Sequence, residues 1–543
     1  MKKYRLRNWF LLTNQRKSII LYVCEFWGYR GLFSESLSSL LEMKKGVTFS
    51  MRESGILMHI SSLPGPYGIG TMGKHAFRFV DFLKKAGQRC WQILPLSPTG
   101  YGDSPYQSCS TYAGNPYLID LDLLIQDGLL TQEEVSAVHW GDRENKVDFG
   151  ILYFNRTNVL RIAYSRFQGG EAFDCFCREN SSWLPDFALF MALKGKFDGA
   201  PWYSWEEPLK LRHTEAIWNA RHELRDEIRF HSFVQYLFHI QWSALRAYAH
   251  ENGIRIIGDV PIYVPYDSAD VWSSPEYFQL DEQMNPVSVA GCPPDAFSED
   301  GQLWGNPLYR WDVLAQEGYS WWVRRMEAAG KLYDVIRIDH FRGFEAYWSV
   351  PFGDATAKNG QWIKGPGLDF MNTLKRELPH IDMIAEDLGF LTQEVLDLRD
   401  ESGFPGMKVL GFAFDSREPS DYLPHTYPRN SVCYTGTHDN MTTRQWFETA
   451  SEDAVAYARE YMHLTPEEGD VWGMIRTAFA SVSDTCVILM QDYLNLGGES
   501  RMNFPGTMTD ANWTWRAAEG FTDGDLADRI LRLTKLYGRL GEN

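Results

Sequence analysis

Val335-Ile336-Arg337-Ile338-Asp339-His340 reads as a buried strand that ends in a carboxylate, and the rest of the chain can be ordered around it. β-Branched residues surround one arginine, and on a strand alternate side chains share a face, so Arg337 and Asp339 point the same way. Seven further runs have this character: Gly55–Ile60, Arg89–Leu94, Arg255–Asp259, Met383–Glu386, Lys408–Phe412, Val432–Thr437 and Cys486–Met490. Each is short, apolar and closed by a polar or glycine-rich turn, as strands covered on both faces are. Between most of them lie segments of helical period, such as Ser320–Gly330, Met371–Glu377, Thr392–Arg399 and Trp472–Val482. Eight strands alternating with helices predict an α/β fold, a (β/α)8 TIM barrel.

The spacing is uneven. About 160 residues separate the second run from the third, too many for one crossover helix, so an inserted subdomain is expected around residues 95–250. Within it Ser182–Phe197 and Asp226–Glu251 read as helices; the second has Phe230, Phe233, Val234, Leu237 and Ile240 on one face. A second, lid-like insertion rich in Pro, Gly and aromatic residues occupies roughly 268–311. The 543 residues suggest three to four domains at roughly 150 each. An elaborated barrel over 51–543 accounts for the length as one catalytic unit, with no C-terminal β-domain after the eighth strand.

Residues 1–50 differ from the remainder of the chain. They hold nine Lys+Arg and three Asp+Glu and show no periodic pattern, which reads as a basic N-terminal extension ahead of a mis-called start, Met51 being the true one. The alternative is a targeting segment, although the apolar run Ile19–Cys24 is shorter than the core of a secretory signal.

The overall charge of −18, from 53 basic and 71 acidic residues, disfavours nucleic acid and anionic membranes as partners, since both call for concentrated Lys and Arg. A neutral ligand fits better. Aromatic residues make up 15%, with 20 Trp and 27 Tyr, and flat amphipathic rings suit sugars as well as they suit a large core. No run approaches the ~18 apolar residues of a membrane span. The eight cysteines have no CxxC spacing, so they read as free thiols in a reducing cytoplasm rather than as metal ligands or disulfides. No Gly-rich phosphate loop ending in GKS or GKT occurs.

In a barrel of this kind, polar residues at the carboxyl ends of strands are functional candidates. The fourth strand ends in Asp339-His340, the fifth in Glu386-Asp387 and the seventh in Thr437-His438-Asp439-Asn440. One such carboxylate commonly caps the next helix. Three from separate strands converge on one mouth, where mutual repulsion leaves one protonated near neutrality, the arrangement that glycosidic bond cleavage needs. Arg337 would hold Asp339 ionised, as a nucleophile requires, or would form a plain structural salt bridge. His438 could donate to a sugar hydroxyl, or be an ordinary core histidine.

Arg337-Ile-Asp339-His340-Phe-Arg-Gly343, Glu386-Asp-Leu-Gly389 and Gly436-Thr-His438-Asp439-Asn440 resemble the fourth- to seventh-strand motifs of the α-amylase clan, in the form used by amylomaltases, the 4-α-glucanotransferases. The resemblance extends in order through His59-Ile-Ser-Ser-Leu-Pro-Gly65, Tyr101-Gly-Asp-Ser-Pro-Tyr-Gln107, Gly114-Asn-Pro-Tyr117, Gly258-Asp-Val-Pro-Ile262, Gly291-Cys-Pro-Pro-Asp295 and Gln302-Leu-Trp-Gly-Asn-Pro307. It spares only the first 50 residues.

The resemblance implies Asp339 as nucleophile, Glu386 as general acid/base and Asp439 as the carboxylate that binds sugar hydroxyls at the −1 position. It also implies that Arg337, His438, Ser104, Tyr106 and Asp259 serve the donor site, Tyr106 as a stacking platform. Asp295, Gln302 and Trp304 would belong to a loop arching over the cleft. Taken alone, Trp304 and Phe412 read as core packing; the resemblance moves Trp304 to the cleft and leaves Phe412 in the core. Asp259 is followed by Val-Pro-Ile-Tyr instead of the Asn-His pair that most α-amylases carry near a calcium ion, so neither calcium, another metal nor a cofactor is expected. The implied activity is retaining transfer of α-1,4-glucan segments between maltodextrins. The alternatives are a hydrolase of the same clan and a non-catalytic α-glucan-binding protein, and the sequence leaves the oligomeric state open.

Overall fold

A computed structural model describes residues 52–100, 102–294, 298–389, 391–415 and 420–541 of the chain. The extension at residues 1–50 and the cleft residue Asp295 lie outside the described residues. In chain order the strands are β1 (Glu53–Leu57), β2 (Cys90–Gln92), β3 (Arg255–Val260), β4 (Ser288–Cys292), β5 (Gln302–Pro307) and β6 (Val335–Ile338). Then come β7 (Ala346–Pro351), β8 (Gln361–Lys364), β9 (Asp382–Ala385), β10 (Gly406–Val409), β11 (Ser431–Tyr434) and β12 (Thr485–Leu489). Eight of them close a barrel in the order β1-β12-β11-β10-β9-β6-β3-β2, with every neighbouring pair parallel. This is the (β/α)8 barrel that the eight apolar runs predict.

Alternation along each strand divides its residues between two cores. Leu57, Ile257, Val335, Ile384, Val432, Tyr434, Val487 and Leu489 fill the barrel interior, where the Tyr434 hydroxyl donates to Gln92 Oε1 at 2.9 Å. Their neighbours Ile56, Trp91, Ile256, Ile336, Cys433 and Ile488 face outward into the larger core shared with the helices. Those helices include Lys74–Lys85, Ser320–Leu332, Gly367–Glu377, Gln393–Ser402 and Asp470–Ala480. On Ser320–Leu332, for example, Trp321, Trp322, Arg325, Met326 and Ala329 recur at helical spacing and are buried.

Between β2 and β3 the chain forms a series of helices, ending in the 27-residue Arg225–Glu251. That helix buries Phe230, Phe233, Val234, Leu237 and Trp242, and two of its glutamines clamp a loop near the mouth. Gln235 exchanges hydrogen bonds of 2.7 and 2.9 Å with Gly114, and Gln241 bonds of 2.7 and 3.1 Å with Asp120. Beside the barrel, β5-β4-β7-β8 make a separate antiparallel sheet. Its β4–β5 hairpin falls inside the 268–311 segment; β7 and β8, after the fourth barrel strand, carry no signal in the sequence pattern.

Two apolar runs overshoot their strands into 3-10 turns. β1 ends at Leu57 and Ile60–Ser62 is a 3-10 turn, while β10 ends at Val409 and Leu410–Phe412 turns likewise. Ile60 and Leu410 are buried in those turns, so burial rather than ladder pairing accounts for their apolarity. Phe412 corrects the core-packing expectation: the turn carries it outward, leaving it 42% exposed against Tyr422.

Candidate active site

The inward alternation that fills the barrel with Val335, Ile257 and Ile384 continues with Arg337 and Asp259 near the strand ends and with Asp339 and Glu386 just past them. Register sets them side by side: Asp259 pairs with Arg337 between β3 and β6, and Arg337 with Ile384 between β6 and β9. Gly258 is required here, because a β-carbon at that position would lie 2.1 Å from the Tyr333 ring.

Arg337 is the hub of the cluster. Its Nη1 donates to both carboxylate oxygens of Asp259, at 2.8 and 2.6 Å, and to Asp339 Oδ1 at 3.0 Å. The Tyr106 hydroxyl donates to Asp259 Oδ2 at 2.8 Å, completing a chain from Tyr106 through Asp259 and Arg337 to Asp339. Arg337 and Asp259 are sealed off, whereas the Asp339 side chain is 28% exposed and Tyr106 is half-buried, so the chain is closed in the middle and opens at its ends.

Glu386 is gripped by backbone amides. The N–H of His340 donates to Oε2 at 2.7 Å and that of Leu388 to Oε1 at 2.9 Å. His340 lies in the left-handed region, φ 50°, which turns its amide toward Glu386. Burial pushes both Asp339 and Glu386 up against the pull of Arg337, helped at Asp339 by repulsion from Asp259, Glu386 and Asp439 and at Glu386 by Asp387, while the two amide bonds pull Glu386 down. Burial and mutual repulsion disfavour ionising both carboxyls at once.

The third carboxylate, Asp439, is 42% exposed and is held from a segment beyond β12. Asn503 Nδ2 donates to its Oδ1 at 2.7 Å, and Arg501 to its backbone oxygen at 2.7 Å. His438 is buried and its ring stacks on Tyr106, with centroids 5.2 Å apart and planes 17° apart, while Trp513 leans against both rings. Burial lowers the His438 pKa, and burial together with His438 takes that of His59 down to about 3. Both imidazoles are therefore neutral near pH 7.

Two of the remaining sequence candidates act through their neighbours. Ser104 Oγ accepts from the Tyr106 amide at 3.2 Å and shapes the turn that carries Tyr106. Gln302 Oε1 accepts from Trp304 Nε1 at 3.2 Å, and Trp304 stands edge-on to His340 at 4.8 Å. The described candidates thus gather around the mouth, Ser104 and Gln302 supporting aromatic neighbours. Sequence reasoning missed Arg501, Asn503 and Trp513, which sit on no strand end. Among the described residues no group of three His, Cys, Asp or Glu could hold a metal ion, and no helix is long and apolar enough to cross a membrane.

Residues 58–522 match a family model described as 4-alpha-glucanotransferase. A 4-alpha-glucanotransferase of Clostridium butyricum is 51% identical over 486 residues, 89% of this chain and 100% of that protein. One from Thermus thermophilus is 47% identical over 502 residues, 90% of this chain and 99% of its own length. Among solved structures, an amylomaltase from Streptococcus agalactiae in complex with acarbose superposes with a TM-score of 0.88 at 41% identity, covering 90% of this chain and 100% of that one.

Proposed function

The chain belongs to the 4-alpha-glucanotransferase family, and from that premise we propose how its barrel mouth performs the transfer. The enzyme moves α-1,4-glucan segments from a donor to an acceptor. In our reading Asp339 attacks the anomeric carbon while Glu386 protonates the departing glycosidic oxygen, giving a covalent glycosyl-enzyme; Glu386 then takes the proton of an incoming acceptor hydroxyl. The overall result is retention. The observation that carries this reading is the placement of the pair: Arg337 holds the Asp339 carboxylate at 3.0 Å where it opens to the mouth, and two backbone amides aim Glu386 from the neighbouring strand end; we assign the proton to Glu386.

Asp439, fixed by Asn503 and Arg501, is read as the acceptor for hydroxyls of the −1 sugar, beside the Tyr106–His438 stack. Arg337, Asp259 and Ser104 are assigned to the same donor site. Gln302 and Trp304, and Asp295 on the same segment, are assigned to the acceptor side. Maltodextrins are the proposed donors and acceptors, in keeping with an acidic, aromatic-rich chain. We read residues 51–543 as one catalytic barrel with insertions near 95–250 and 268–311, needing no metal or cofactor. The unpaired cysteine spacing supports a reducing, cytoplasmic setting.

Transfer must compete with water at ~55 M, which requires an acceptor held at high effective molarity. Incubated with maltotriose, the enzyme should release glucose and a ladder of longer maltodextrins with almost no net gain of reducing ends. A steady gain of reducing ends would instead establish a hydrolase, and binding without products a glucan-binding protein.

A further inference from the structure

Asp387, next to Glu386, is buried and takes no part in the chemistry described above. Its Oδ2 accepts from Arg399 Nη1 at 2.6 Å and its Oδ1 from the Met407 amide at 2.7 Å. The second contact replaces a missing rung. β9 and β10 share only the Ala385–Gly406 pair, where Ala385 N–H also donates to the Pro405 carbonyl at 2.9 Å, and beyond it the Asp387 side chain joins the two strands. Gly406 makes room for it, since a β-carbon there would lie 2.5 Å from the carboxylate. Glu386 is thus tied to the fourth strand by backbone bonds, N–H to Ile338 O at 3.0 Å and O from Phe341 N–H at 3.1 Å, and toward the sixth by its neighbour's side chain.

We propose that the buried Asp387–Arg399 pair positions Glu386 and sets the local charge against which it holds its proton. The inference rests on Glu386 being the acid/base. Arg337, Asp339 and His340 face Glu386 from the β6 end, and Asp259 from β3 and Asp439 from beyond β11 face Asp339 in turn. Tyr422 approaches from the loop after β10. On the Asp387 side, Arg399 and Asp400 come from the helix Gln393–Ser402, and Lys408 from β10 with its ammonium 5.3 Å from the Tyr422 ring. Asp387 adjoins Glu386, while Arg399 reaches it only through Asp387. The negative member therefore dominates, and its repulsion raises Glu386.

The two halves of the pair act with opposite sign. Asp387→Asn removes the negative charge and leaves Arg399 behind, so Glu386 loses its proton at lower pH. The alkaline limb of kcat/KM for maltotriose disproportionation moves down by about half a unit or more. Arg399→Gln leaves Asp387 uncompensated and moves the same limb up, and Lys408→Gln, a milder change on the strand side, moves it up less. The pH profiles of all three variants are recorded on protein whose fold is verified by circular dichroism, with Lys408→Gln standing in for Arg399→Gln should that variant not fold, and the upward shifts of the two cation variants carrying the test should Asp387→Asn not fold. Opposite shifts support the proposal. Unmoved limbs, or shifts in one direction with only kcat reduced, overturn it and leave a structural salt bridge. Glu386→Gln is measured alongside: if it stays active, the acid/base assignment itself fails; if it is inactive and the limbs do not move, only this inference fails.

Discussion

Val335 and Asp339 leave one stretch of chain on the same inward face, four residues apart, yet they belong to regions built on opposite terms. At Val335 the barrel interior is closed by apolar side chains from its neighbours, Ile257, Ile384 and Val432 among them, and each contributes by leaving water. At Asp339 the same face carries buried charge held together by Arg337, and burial there costs stability unless every group is paired. The lower region keeps the scaffold rigid; the upper one tolerates an energetic penalty because the chemistry needs it. Stability and activity should therefore separate along a single strand face.

The largest expected effect tests the upper region. Asp339→Asn should lower maltotriose turnover by about 10⁴-fold or more, with a melting temperature equal to or above that of the wild type, because a repelled carboxylate is removed. Loss of activity together with unfolding would erase the contrast. Ile384→Ala tests the lower region in reverse: a cavity in the interior should cost about 2–4 kcal/mol by denaturant titration, while turnover per folded molecule changes little. Asp259→Asn lies at the boundary and should damage both. It leaves Arg337 with a weaker partner and Tyr106 with a rearranged one, so turnover should fall about 10²-fold alongside a stability loss of about 2 kcal/mol. Asn503→Ala removes one hydrogen bond to Asp439 and should cost roughly tenfold in kcat/KM, close to 1.4 kcal/mol, with no change in melting. The smallest effect belongs far from both regions. Arg161→Ala breaks an exposed pair with Glu227 and should stay within about 0.5 kcal/mol in stability and leave activity alone.

The same contrast explains what the sequence discloses. The eight barrel strands are legible because both of their faces are buried; Asp339 and Glu386 stand out as charges that close such runs, and Arg337 as a charge inside one. Strand limits slip at Ile60 and Leu410 because buried turn residues look like strand residues. β7 and β8 escape the pattern; β8, Gln361–Lys364, is mostly exposed and carries no apolar run to mark it. Arg501, Asn503 and Trp513 reach the site by folding back from well beyond Leu489, a tertiary event with no local pattern. Asp387 shows in the sequence only as the residue after Glu386, because its contacts are with Arg399 and Met407, 12 and 20 residues away.

The central claim is that Asp339 forms the covalent bond to the transferred glucan. The direct measurement is mass spectrometry of the enzyme after reaction with a maltosyl fluoride whose non-reducing 4-hydroxyl is removed, using Glu386→Gln to slow turnover of the intermediate. A mass increase of one such glycosyl group, mapped after digestion to the peptide bearing Asp339 and absent when Asp339→Asn is added, is the predicted result. The same label on Asp387 or Asp439, or persisting with Asp339→Asn, would contradict it.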